Sequence, residues 1–232
     1  MAFSDARFDV NLSILFTELP LLERPAAAAA AGFTALSVPG EESERFRANV
    51  EVAADFAQSL GCTALNALYG NRLDGIDPAV QDALALENLT LAARAAHRIG
   101  ATLLIEALNA PESPRCPIVS APKAVEVVQA VNAATGLDNA RFLMDLYHLA
   151  RNGEDLEAVI DRYTPLTGHV QIADSPGRGA PGTGTLPLEG LLDRLRTNGY
   201  AGWIGLEYQP GDAPSADAFA WLPRPQRATT AP

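Results

Sequence analysis

Short apolar runs alternate with longer segments of helical periodicity along most of the chain. The runs predict strands, which cover Phe8–Phe16, Phe33–Val38, Thr63–Tyr69, Thr102–Asn109, Arg141–Tyr147, a run that begins at Gly168, and Gly202–Tyr208. The periodic segments predict helices, which cover Leu19–Ala31, Glu42–Leu60, Pro78–Ile99, Ala121–Thr135, Asp155–Tyr163 and Leu188–Asn198. Most of these helices are followed directly by a glycine, which is a common helix stop.

The alternation of strands and helices predicts an α/β fold. Because the strand runs are almost continuously apolar, they are typical of parallel strands covered by helices. No strand leads into a GxGxxG turn, which disfavours a dinucleotide-binding fold, so we predict a TIM-type (β/α) barrel. Only seven strands are predicted, and a closed barrel needs one more. One helix–strand unit is therefore expected to be missing, between Val38 and Glu42. Residues 1–210 are predicted to form the single barrel domain, followed by a Pro/Ala-rich tail over 211–232.

Composition limits the kinds of partner that the protein can bind and the compartments in which it is expected. A net charge of −11 disfavours nucleic acid, since phosphate binding needs basic patches. The two cysteines, Cys62 and Cys116, form no CxxC pair, which fits a reducing compartment and disfavours a disulfide scaffold or a thiolate zinc site. No signal peptide and no apolar run of membrane-spanning length is evident, so a cytoplasmic protein with no membrane partner is predicted.

Oxygen-bearing side chains recur near the ends of the last four predicted strands. They are Glu106, Asp145, Gln171 and Glu207. A single buried carboxylate would most often be part of a salt bridge or a helix cap, but active sites of (β/α) barrels form where the strands end. Recurrence on successive strands therefore favours one shared site. Carboxylate and amide oxygens suit Mg²⁺ or Mn²⁺ better than zinc.

The segment Gly168–Gly184, GHVQIADSPGRGAPGTG, adds further candidates. His169 and Gln171 alternate with apolar residues and should project from one face of a strand, either into a barrel or from a solvated edge strand. Arg178 in the glycine-rich loop is a candidate clamp for a carboxylate or an enolate, or an ordinary surface arginine. His148 is a candidate contact for a substrate oxygen, or a solvated residue at a helix N-terminus. The loop lacks a Lys-Ser or Lys-Thr pair, which predicts a mobile loop over the site rather than a phosphate cradle.

Several of these pieces together resemble the hydroxypyruvate isomerase family, which belongs to the xylose-isomerase-like barrels. The pieces are NLSILF, LLIEALN, FLMDLYHLAR, GHVQIADSPGRGAPGTG and WIGLEYQP, and the resemblance extends to about Pro210. It implies that the divalent-metal ligands are Glu106, Asp145, Gln171 and Glu207. It also implies that Glu106 and Glu207 are the acid/base pair, and that His148 and Arg178 contact the substrate.

The resemblance implies an isomerase that interconverts hydroxypyruvate and tartronate semialdehyde. The expected route is metal-assisted proton transfer through an enediolate, with Mg or Mn as cofactor and a small hydroxy-oxo acid as substrate. The sequence departs from the family in one respect. Relatives carry a helix and a further strand between the segments that match Val38 and Pro39–Glu41, in agreement with the strand that is missing here.

Other functions remain open from the sequence. A 2-oxo-tetronate isomerase or a ketose 3-epimerase could be built on the same site. A truncated, inactive binding protein is an alternative of another class, and a segment lost from the sequence itself is a further explanation. An incomplete barrel edge would favour cover by a partner, so a homo-oligomer is one expectation.

Overall fold

The computed structural model of the chain describes residues 7–11, 15–20, 23–31, 36–37, 43–211 and 214–227. These residues contain seven strands, as predicted, and seven α-helices. No helix among them has the length and hydrophobicity needed to cross a membrane. The chain divides into two compact units. The first unit comprises Met1–Val38, Asp145–Pro165 and His169–Pro232, and the second comprises Pro39–Met144 and Leu166–Gly168.

The first unit contains four parallel strands in the order β2-β1-β7-β6. Its strands are β1 (Arg7–Asn11), β2 (Leu36–Ser37), β6 (Thr167–Ile172, whose first two residues belong to the second unit) and β7 (Trp203–Leu206). Its helices are α1 (Arg24–Ala31), α5 (Leu146–Arg151), α6 (Leu156–Tyr163) and α7 (Leu188–Thr197). The ladder pairs Gln171 of β6 with Gly205 of β7, which places the ends of these strands side by side.

The second unit contains three parallel strands in the order β5-β4-β3. Its strands are β3 (Ala64–Asn66), β4 (Thr102–Glu106) and β5 (Ala140–Asp145, whose last residue belongs to the first unit). Its helices are α2 (Ser43–Leu60), α3 (Pro78–Arg98) and α4 (Ala121–Thr135). Glu106 pairs with Leu143, so β4 ends two residues before β5 does.

Local signals explain where several helices begin and end. The Ser120 hydroxyl accepts a hydrogen bond from the Lys123 amide at the start of α4, and Gly136 ends that helix with φ 68°. The predicted bounds of α4 are confirmed. The predicted start of α1 at Leu19 is wrong, because the helix begins at Arg24 with Pro25 in its first turn. Proline is favoured in the first turn because its fixed φ suits a helix start and because an N–H there would have no partner within the helix.

Several predicted strands extend too far at their C-terminal ends. β3 ends at Asn66 rather than Tyr69, β4 at Glu106 rather than Asn109, and β7 at Leu206 rather than Tyr208. The predicted strand Arg141–Tyr147 ends at Asp145, and α5 begins at the next residue. The predicted strand Phe8–Phe16 ends at Asn11, and Phe16 has a left-handed backbone with φ 59°. The break predicted between Val38 and Glu42 lies outside the described residues.

Residues 214–227 pack into the first unit. Phe219 and Leu222 are fully buried, and the Trp221 ring meets the Phe8 ring edge-on at 5.8 Å. Arg224 and Arg227 donate hydrogen bonds to the last carbonyls of α1, at 2.8 and 3.1 Å. Positive side chains are favourable at that end of a helix. The predicted boundary at residue 210 stays a prediction, but these contacts favour counting 214–227 with the domain.

We expect Phe219→Ala to lower the free energy of unfolding by about 3–5 kcal/mol, because it leaves a cavity in a packed interior. Urea denaturation followed by circular dichroism measures the change. Phe56→Ala is the matched control, since the Phe56 side chain is 61% exposed and its removal should change stability by about 0.5 kcal/mol or less. Equal losses in the two variants would contradict the packing role of the segment.

Candidate metal and substrate site

Asp145 joins the end of β5 to the start of α5. Its Oδ1 accepts hydrogen bonds from the amides of Tyr147 and His148, at 2.8 and 3.1 Å, and so caps the helix. Its Oδ2 lies 3.8 Å from Nε2 of His148. Both side chains are at most 4% exposed. One carboxylate oxygen therefore shapes the backbone, while the other faces the imidazole.

Gln171 and Glu207 meet at the ends of β6 and β7. The Gln171 amide nitrogen donates to Oε1 of Glu207 at 3.3 Å, and both residues are buried. Oε1 of Gln171 has no hydrogen-bond partner among the described residues. A buried carbonyl oxygen without a partner is costly, and a cation would satisfy it. This orphaned oxygen therefore fits the predicted role of Gln171 as an oxygen donor to a metal ion.

Arg178 reaches the same carboxylate from the loop after β6. Its Nη2 donates to Oε2 of Glu207 at 2.6 Å and lies 3.4 Å from Nε2 of His148. Its Nε donates to the backbone carbonyl of Glu207 at 3.3 Å, and its guanidinium carbon lies 5.3 Å from the centre of the Tyr147 ring. The predicted surface alternative for Arg178 is therefore disfavoured, since its side chain is only 20% exposed.

Glu106 ends β4 and is buried in the second unit. Its Oε2 accepts a hydrogen bond from the side-chain amide of Asn66 at 2.9 Å. Oδ1 of Asn66 is buried and has no hydrogen-bond partner among the described residues. Sequence reasoning missed Asn66, although it ends the short strand β3 as Glu106 ends β4.

Three of these side chains form a buried group of potential metal ligands in the first unit. Asp145, His148 and Glu207 each offer one ligand atom, and these atoms lie within 4.8 Å of one another. Two buried carboxylates repel each other unless positive charge balances them. The group is therefore a candidate metal site. It includes two of the four predicted ligands, Asp145 and Glu207, and a third, Gln171, contacts Glu207. The fourth, Glu106, is buried in the second unit. His148, predicted as a substrate contact, lies among the potential ligands.

His169 of β6 and Asp9 of β1 form a polar pair. Nε2 of His169 lies 3.4 Å from Oδ1 of Asp9. Gly205 makes room for them, because a Cβ there would lie 2.8 Å from Nε2 of His169 and 2.9 Å from Cγ of Gln171. Burial, and to a lesser extent the Asp9 charge, raises the pKa of the nearby Tyr200 phenol. Asp9 was also missed from the sequence, where a lone acid within FDV carries no distinctive signal.

Neither cysteine belongs to the group of potential ligands. Cys62 and Cys116 are free, and burial raises the pKa of both thiols. A metal-binding cysteine must be a thiolate, and a raised pKa disfavours that form.

Comparison with known proteins gives consistent matches. Residues 16–224 match the family described as xylose isomerase-like TIM barrel. A Streptomyces coelicolor protein, provisionally named hydroxypyruvate isomerase, is 64% identical over 277 positions, which cover 98% of this chain and 99% of that protein. The hydroxypyruvate isomerase of Escherichia coli is 33% identical over 85% of this chain and 75% of its own length. A solved Brucella melitensis structure, described as an AP endonuclease of family 2, has a TM-score of 0.82 at 31% identity, covering 94% and 98% of the two chains. These matches establish an α/β, TIM-barrel-like fold.

The alignment with the Streptomyces protein also measures what is absent here. Its 277 positions exceed the 232 residues of this chain by 45, so at least that many positions have no counterpart in this chain. This length is sufficient for a helix and a strand with their connections. It supports the predicted loss of one helix–strand unit, whose predicted place lies outside the described residues.

Proposed function

The chain belongs to the hydroxypyruvate isomerase family of xylose isomerase-like TIM barrels, and from that premise we propose that it interconverts hydroxypyruvate and tartronate semialdehyde. The family membership makes it a homologue of sugar-acid isomerases. The observation that carries the proposal is the buried group of Asp145, His148 and Glu207. Carboxylates collected in this way can both transfer protons and hold a cation.

The reaction moves two hydrogens between adjacent carbons and their oxygens. A base removes a proton from the hydroxymethyl carbon of hydroxypyruvate, and the electrons pass to the carbonyl oxygen, giving an enediolate. A proton then returns to the former carbonyl carbon. The former carbonyl oxygen gains a proton, while the former hydroxyl oxygen loses one and becomes the aldehyde oxygen. One glutamate acting as base and a second as acid satisfy this sequence, and we assign these roles to Glu106 and Glu207.

The remaining side chains bind and orient the substrate. We assign to the Arg178 guanidinium, which donates to Oε2 of Glu207, the binding of the substrate carboxylate or the developing enediolate charge. We assign to His148 the binding of a substrate oxygen, and the burial of both glutamates limits access of water. The oxygen donors Glu106, Asp145, Gln171 and Glu207 would hold Mg²⁺ or Mn²⁺. When bound, such a cation supplies positive charge that stabilises the enediolate.

The name of the Brucella structure raises nucleic acid as an alternative partner. The net charge of −11 disfavours it, because a phosphate backbone would be repelled by most of the surface. We therefore propose a small sugar-acid substrate, without nucleic acid or membrane as a partner, and we keep the cytoplasmic location as a proposal.

A turnover assay with and without divalent metal tests the function. We expect the protein to convert hydroxypyruvate in the presence of Mg²⁺ or Mn²⁺ and to lose this activity in EDTA. The panel should include a four-carbon 2-oxo acid and a free ketohexose, since an acid-specific enzyme should ignore the ketohexose. Conversion of the four-carbon acid alone would support the 2-oxo-tetronate alternative. Metal-induced thermal stabilisation without turnover on any substrate would instead support a binding protein.

A further inference from the structure

Asp174 is a buried carboxylate outside the group of potential metal ligands. It lies just after β6 and is 1% exposed. Its Oδ1 accepts hydrogen bonds from the amides of Ser175 and Leu186, at 2.9 and 3.0 Å, and its Oδ2 accepts one from Gly182 at 2.8 Å. Three backbone donors thus stabilise the charge of a carboxylate that has little contact with water.

These bonds organise the loop between β6 and α7. They join the Asp174 carboxylate, near the start of the loop, to Ser175 and to Gly182 and Leu186 near its end. Thr185 adds two hydrogen bonds, from its amide and its hydroxyl, to the carbonyl of Ser175, at 2.8 and 3.1 Å. A Cβ at Gly184 would lie 2.5 Å from Oδ1 of Asp174, so the loop approaches the carboxylate too closely for any side chain at that position.

The backbone of Asp174 also holds the chain next to Arg178. The Asp174 amide donates to the carbonyl of Gly179 at 2.8 Å, directly after Arg178. The Arg178 carbonyl accepts a hydrogen bond from the Gln209 amide at 2.7 Å. Arg178 itself has φ 54°, a left-handed conformation that is unfavourable for a residue with a side chain. It persists only where surrounding contacts hold it, and the loop supplies them on both sides.

We propose that Asp174 is a positioning residue for Arg178. By holding the loop, it keeps the guanidinium against Glu207 before any substrate arrives. This inference deepens the proposed function and rests on it, because Arg178 is there the residue that binds substrate charge. It also replaces the prediction of a mobile loop: Arg178 is in place in advance, and binding need not supply the free energy of ordering the loop.

Limited trypsin digestion tests the structural part without using activity. Trypsin cleaves after arginine only where the local backbone can open. We expect Asp174→Ala to raise the rate of cleavage after Arg178 at least about tenfold over the wild type. Cleavage after Arg196, whose side chain is 60% exposed on α7, is the internal reference and should not change. Asp155→Ala is the matched control, since the Asp155 carboxylate also accepts two backbone amides, at the start of α6.

A double-mutant cycle tests the functional part. Asp174→Ala should lower kcat/KM for hydroxypyruvate at least about tenfold in the wild type and have little further effect in an Arg178→Ala background. Asp174→Asn keeps one acceptor oxygen, and it replaces Asp174→Ala if the latter does not fold. It should lose mainly the bond to Gly182 and show a smaller effect in the same direction.

The outcomes separate the two proposals. Equal losses of kcat/KM in both backgrounds, or unchanged cleavage after Arg178, would overturn the positioning role of Asp174. An inactive wild type would count against the proposed function, and the digestion alone would then decide whether Asp174 holds Arg178.

Discussion

Glu207→Gln lowers kcat/KM for hydroxypyruvate by about 10²–10⁴-fold, and Glu106→Gln does the same, if these residues transfer the protons. Glutamine has almost the same shape as glutamate, and its oxygen can still accept the hydrogen bonds from Arg178 or Asn66. It cannot take up or release a proton at neutral pH. The loss should therefore appear mainly in kcat, with circular dichroism and thermal unfolding close to those of the wild type.

Glu189→Gln is the matched control for these variants. Glu189 is exposed in the first turn of α7, outside the site, so its neutralisation should leave turnover unchanged. If either Glu106→Gln or Glu207→Gln keeps near-wild-type kcat, that glutamate is not the acid or the base. The assignment of the proton transfer to this pair would then fail, whatever the substrate.

Asp145→Asn should abolish most of the stabilisation that Mn²⁺ gives to the folded protein. Asparagine keeps an oxygen for the amides of Tyr147 and His148, so α5 remains capped. It removes the negative charge at the position that faces His148. We expect the apparent affinity for Mn²⁺ to fall at least about 100-fold. The rise of Tm with Mn²⁺ concentration measures it, because a ligand that binds only the folded state raises Tm with concentration.

In the metal-free protein, the same substitution should not lower Tm. Without a cation, the buried carboxylates of Asp145 and Glu207 repel each other, so Asp145→Asn should leave Tm in EDTA unchanged or raise it. Asp155→Asn is the control, since Asp155 caps α6 through two amides in the same way but lies outside the group of ligands. A Mn²⁺ response in Asp145→Asn equal to that of the control would remove Asp145 from the ligands.

The sequence predicted the strand-end carboxylates because two features of the pattern agree on them: each follows an apolar run, and the runs alternate with helices as parallel strands do. Glu106 and Glu207 each end an apolar run, and a charge is expensive there unless something binds it. Parallel strands also bring their carboxyl ends to one edge, so the prediction did not need exact strand bounds. The structure places Glu207 with Asp145 and His148 in one buried group, and Glu106 is buried at the end of β4.

Contacts set by tertiary structure were harder to predict. The helix α5 has only six residues, and its first two, Leu146 and Tyr147, continue the apolar pattern of β5, so periodicity could not separate helix from strand. Asn66 gains its meaning only from β4, which lies beside β3 in space but follows a long helix in sequence. Asp174 looked like the first polar residue of a loop, and its three backbone donors come from positions spread over twelve residues.

Gly205 limits how this chain can be redesigned. Because it has no side chain, His169, Gln171 and Asp9 can occupy the space beside it. A saturation library along β7 should therefore tolerate changes at the half-buried Trp203 yet select glycine at position 205. A larger side chain introduced at position 205 to change substrate size would clash with the protein's own polar side chains. Variation is better directed at the neighbouring loop ends, where a new side chain need not displace a residue of the site.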